Sequence, residues 1–237
     1  MPTLDFLTRL SFLAAMPAVA GIFITASILL ISQEWRLNII ALAAQYFFVV
    51  LLMTRLIRLE MAVIKGLVGW IVCMVFYLTE RRVSSLIPTP PLESSRWRRW
   101  IMSARTFFYL LAGLLVSVVA YTAAVRIPLP EIPEDISLAC YLMASLGILM
   151  MGMNEEPVPV GFGLLTFLTA FDLFYVALEP SLAVAGLLEA VSFMIALSVT
   201  YLRAAQAATM ASATPSSPTS SDTKTISGMV EGQESLS

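Results

Sequence analysis

Histidine is absent from the 237-residue chain. That removes the usual haem ligand, the commonest zinc ligand and the only side chain that titrates unperturbed near neutrality. The two cysteines, Cys73 and Cys140, lie inside apolar runs with no CxxC spacing. A disulfide framework or thiolate metal site is therefore not expected, and both read as small buried hydrophobes. There is no GxGxxG after a strand, no Walker loop, no GxSxG, and HExxH is impossible without His. The residues for two-aspartate or metal-dependent intramembrane proteolysis are missing too. The chain carries no catalytic motif of its own, and no metal or cofactor is expected. Charge is scarce as well: 13% of residues, against about 25% in soluble domains. With 59% hydrophobic residues and a mean hydropathy of +0.86, an integral membrane protein is implied.

The apolar runs predict an all-α polytopic transmembrane bundle of about seven spans. They cover 10–31, 37–56, 61–78, 106–125, 136–153 and two runs within 160–202. Ala18-Val19-Ala20 resembles a signal-peptide cleavage site, but the apolar run continues through it to Ile31, so an uncleaved first helix is expected. In the second span Asn38 and Gln45 are seven apart and share a face. Gln45 suits a hydrogen bond between helices.

Residues 80–105 interrupt the pattern with six arginines and three prolines against two glutamates. Prolines 88, 90 and 91 exclude a continuous helix through the first half. In the second half Trp97, Trp100, Ile101 and Ala104 fall at i, i+3, i+4 and i+7. A short interfacial helix is expected there, with Trp97 and Trp100 at the membrane boundary and Arg96, Arg98 and Arg99 on anionic lipid headgroups. The patch is too short, and too close to a membrane helix, to suggest nucleic acid. The expected organisation is a three-helix part (1–79), this basic loop (80–105), a four-helix part (106–203) and a disordered tail (204–237) rich in Ala, Ser and Thr.

Seven spans put the termini on opposite sides. With the basic loop inside, that side holds nine Lys and Arg against four outside, Lys65 being left out as intramembrane. The positive-inside rule then places the amino terminus outside and the carboxyl terminus in the cytoplasm, in the cell membrane.

The strongest functional signal lies in the 160–202 stretch. Two apolar runs joined by Glu179-Pro180-Ser181 each hold one carboxylate, Asp172 eight residues before Pro180 and Glu189 nine after it. At a helical rise of about 1.5 Å per residue, both acids stand about 12–14 Å from the shared turn and at nearly equal depth. Gly186 and Ala190, beside Glu189, suit close helix approach there. Lys65 enters the third span about one turn in. As a long cation near a helix end it suits snorkelling to the interface. Turned inward, it reaches an acid from the neighbouring turn. Intramembrane carboxylates are costly and face a partner, a protein interior or a water path. The two readings for Asp172, Glu189 and Lys65 are a proton path and an ion pair that fixes helix packing.

The 160–202 stretch, with Asp172 in LLTFLTAFDLFYVAL and Glu189 in AGLLEAVSF, resembles the K-type small membrane subunit of respiratory complex I. It resembles also the relatives of that subunit in energy-converting hydrogenases and multisubunit cation/proton antiporters. The likeness covers about forty residues, and Asp172 stands where that family has Glu. The resemblance implies proton-path roles for Asp172 and Glu189, other membrane subunits as partners, and at most a place in a redox-driven pump. The rivals are a stand-alone secondary transporter of a small solute and a non-catalytic membrane scaffold.

Overall fold

The computed structural model describes residues 2–32, 34–56, 59–86, 104–127, 132–179 and 181–213. Seven helices make up these residues: α1 (Pro2–Ile31), α2 (Trp35–Leu56), α3 (Leu59–Leu86), α4 (Ala104–Arg126), α5 (Glu134–Met153), α6 (Pro157–Leu178) and α7 (Leu182–Ala213). The described residues contain no strand. Helices α2 through α7 are long and apolar enough to cross a membrane, with mean hydropathies of 1.7 to 2.2, and the apolar part described in α1 is Pro17–Ile31. Their outward side chains are apolar as well: Trp70 is 72% exposed, Phe107 68% and Leu115 65%. In water such a surface would drive aggregation; in lipid it is the solvated face. The chain is a multi-pass helical membrane bundle.

Local signals set the helix ends. Glu134 and Asp135 occupy the first turn of α5, where carboxylates meet the positive end of the helix dipole. Asn154 ends α5 in an extended conformation, and Pro157 opens α6 at a position where no backbone N–H is needed. Two helices run further than the sequence suggests. Helix α3 continues through Glu80, Arg81 and Arg82 to Leu86, taking in the start of the anticipated basic loop. Nothing breaks it before Pro88. Helix α7 continues through Ala204 to Ala213, into the anticipated tail. AAQAATMASA is rich in the best helix former and precedes Pro215. Arg96, Trp97, Arg98, Arg99 and Trp100, and the tail from residue 214, lie outside the described residues.

The three-helix and four-helix parts pack into one bundle: α1 lies against α4 and α5, α2 against α6, and α3 against α7. About half of the spanning windows of α2, α5 and α6 is buried, against 33% in α3, 22% in α4 and 17% in α7. The first three form the interior, and α3, α4 and α7 the rim. The most extensive interface joins α5 to α6, where glycines meet. A Cβ on Gly147 would stand 2.8 Å from the Gly163 carbonyl oxygen and 2.9 Å from the Phe167 nitrogen. These obstacles are backbone atoms, so only hydrogen fits. Gly186 is different: a Cβ there meets nothing within 4 Å, and Gly186 and Ala190 are exposed. The close approach anticipated beside Glu189 therefore occurs on α5 and α6 instead, since no neighbouring helix reaches Gly186.

Candidate functional site

Lys65, Asp172 and Glu189 come together where α3, α6 and α7 meet. Lys65 lies six residues from the start of α3, Asp172 six from the end of α6 and Glu189 seven from the start of α7. At about 1.5 Å per residue, all three sit about 9–11 Å below the helix ends that face the α2–α3 and α6–α7 turns. The Lys65 ammonium Nζ is 2.7 Å from Asp172 Oδ2 and also donates to Glu189 Oε1. The three residues are only 3%, 2% and 6% exposed. Lys65 therefore does not snorkel: its ammonium stays inside the protein, between two carboxylates.

Tyr46 of α2 closes one side, its ring centroid 5.9 Å from Lys65 Nζ. Each carboxylate keeps one buried oxygen, Asp172 Oδ1 and Glu189 Oε2, that accepts no hydrogen bond from a described residue. Among the described residues no cluster of metal-ligating side chains occurs.

Charge balance gives the site its chemistry. One ammonium faces two carboxyl groups in a low-dielectric interior, so the acids outnumber the cation among these three residues. Oxygens that share one ammonium are at most about 6 Å apart, twice a hydrogen-bond length.

The face below the triad is polar. Thr166, Thr169 and Asp172 follow one another at three-residue steps on α6, each 2% exposed. Thr169 Oγ1 donates to the Leu165 carbonyl at 2.7 Å. Thr166 Oγ1 donates to Gln45 Oε1 at 3.5 Å, which is the interhelical contact expected of Gln45. Gln45 Nε2 is buried without a partner among the described residues. Asn38, on the same face of α2, donates through Nδ2 to the Ser32 carbonyl at 3.2 Å. Cys73 and Cys140 are buried free thiols, as their apolar context suggests.

Two further ion pairs were not evident in the chain. Arg203 Nε stands 3.2 Å from Glu80 Oε1, joining α7 to α3 at the end remote from the triad. Arg55 Nη1 stands 2.7 Å from Asp135 Oδ2, at the triad end. The three-residue spacing of Thr166, Thr169 and Asp172 was the signal available for the polar face. The ion pairs link residues 80 or more positions apart and leave no local trace.

Comparison with family models, with curated proteins and with solved structures yields no match.

Proposed function

We propose that this chain is a membrane subunit of a proton- or cation-translocating assembly, in which Asp172 and Glu189 relay protons and Lys65 sets their charge balance. The observation that carries this reading is the two-to-one ratio of buried carboxylates to ammonium. A pair built only for packing is served by one acid and one base. A second acid on the same ammonium adds a proton-binding place and a desolvation cost without a matching cation. The resemblance of the 160–202 stretch to K-type subunits points the same way, and implies other membrane subunits as partners.

The packing reading has one observation in its favour: the triad ties three helices together at one point. Neutral isosteres separate the two. Asp172→Asn and Glu189→Gln keep the size and hydrogen bonding of the side chains. Each variant is expected to reach wild-type levels in the membrane and to lose proton movement in reconstituted vesicles, followed with a pH-sensitive dye. Wild-type flux in both variants would hand the site to the packing reading.

A further inference from the structure

At the end of the bundle remote from the triad lies a cavity of about 590 Å³, walled by the end of α1, the start of α2, α4 and the α5–α6 turn. Its lining is polar for a membrane protein: Ser32, Asn38, Thr106, Tyr109, Asn154 and the exposed carboxylates of Glu155 and Glu156. Asn38 is 5% exposed, and its Oδ1 is buried with no hydrogen-bond partner among the described residues. An uncompensated amide oxygen costs about 1–3 kcal/mol unless water or a ligand meets it. A polar chamber of this size holds several waters.

From Asn38 the polar side chains continue toward the triad. Gln45 is seven residues further along α2, about 10 Å at helical rise. Thr166 touches Gln45 across the interface, and Thr169 and Asp172 follow on α6. One apolar layer interrupts this line. Leu42 precedes Gln45 by three residues on α2, Phe162 precedes Thr166 by four on α6, and Phe76 of α3 packs on Phe162 with ring centroids 4.9 Å apart. All three are at most 1% exposed and belong to one packed cluster.

We propose that this cavity is the aqueous access to the Lys65–Asp172–Glu189 triad, taking in water and hydrated protons, and that Leu42, Phe76 and Phe162 form the dry barrier between the two. Apolar constrictions of this kind gate by wetting and dewetting, so the barrier sets when the triad exchanges protons with that side. The proposal rests on the proton-relay reading of the triad, but its test needs no proton flux.

The test is thiol accessibility, measured in vesicles on the full chain with Cys73 and Cys140 replaced by Ala, using a membrane-impermeant methanethiosulfonate. Asn38→Cys is expected to react, and Ile40→Cys, on the exposed apolar face of α2 at 65% exposure, is expected to resist. Thr166→Cys, beyond the barrier, is expected to react at least about tenfold more slowly than Asn38→Cys, and to gain about tenfold when Phe162→Ala or Leu42→Ala thins the layer. Either thinning variant suffices, so misfolding of one leaves the other to decide. An unreactive Asn38→Cys, or a Thr166→Cys rate unmoved by thinning, overturns the proposal. Flux that persists in Asp172→Asn would overturn the relay while leaving these labelling rates untouched.

Discussion

Helices α3 and α7 are joined by charge at both ends, and the two ends differ in kind. At one end Lys65 meets Glu189, with Asp172 added from α6, all nearly excluded from solvent. At the other end, fifteen residues along α3 and fourteen along α7, Glu80 meets Arg203, whose side chain is 30% exposed. These intervals match to within one residue, so at about 1.5 Å per residue the two contacts stand about 21–23 Å apart along parallel helices. The outer contact is a one-to-one pair that brings water to its own charge. The inner one is a two-to-one cluster closed off from solvent, with one acid more than it has cations. Ion pairing in two settings thus gives a one-to-one clasp at one end and a buried cluster with an excess acid at the other.

The largest test of this contrast removes the cation. Lys65→Met leaves two buried carboxylates without a counter-charge. The expected loss is about 3–5 kcal/mol, the cost of breaking a buried pair from one side, read as a lower melting temperature in detergent. Adding Asp172→Asn and Glu189→Gln to Lys65→Met should restore most of it. If Lys65→Met melts like wild type, the two ends do not differ as described.

A smaller effect comes from moving Asp172 without touching charge. Gly147→Ala puts a methyl group against the backbone of Gly163 and Phe167, pushing α6 away from α5 at a cost of about 1–3 kcal/mol. It should weaken the triad and leave the Glu80–Arg203 contact, which α6 does not carry. Gly186→Ala, which meets nothing within 4 Å, should stabilise by up to about 1 kcal/mol through helix propensity. Equal melting temperatures for the two alanine variants would refute the close α5–α6 crossing.

The smallest effects belong to the more exposed pairs. Arg203→Gln should cost about 1–2 kcal/mol, between the buried and surface limits, because Glu80 itself is only 5% exposed. Arg55→Gln should cost about 0–1 kcal/mol and less still at high salt, since the acid of that pair, Asp135, has a side chain 20% exposed against 6% for Glu80. A ranking that places Arg55→Gln above Arg203→Gln would mean that burial is not what separates these contacts.

Much of the membrane bundle was legible in the chain because lipid leaves few alternatives. Backbone groups in hydrocarbon must be satisfied within the segment, so an apolar run of about 20 residues reads directly as a helix. The equal depth of Asp172 and Glu189 was legible for a related reason, as a three-residue turn makes distance along the chain a measure of depth. Lys65 was only half legible. Its depth follows from its position, but the choice between lipid edge and interior depends on which face α3 turns to α6 and α7. The ends of α3 and α7 were misjudged because charge and small polar residues suggest loops, whereas only the prolines beyond them stop a helix.

By itself the sequence determined the class, the spans and the depth of the intramembrane charges, because hydropathy, helical rise and turn length act locally. Only the tertiary structure decided that one ammonium serves two acids, that Gly147 and Gly163 rather than Gly186 bring helices together, and that a polar cavity faces the far end of the triad's polar face. Each of these depends on helix rotation about its own axis. That rotation is set by packing between residues far apart in sequence, and no single run of apolar residues records it.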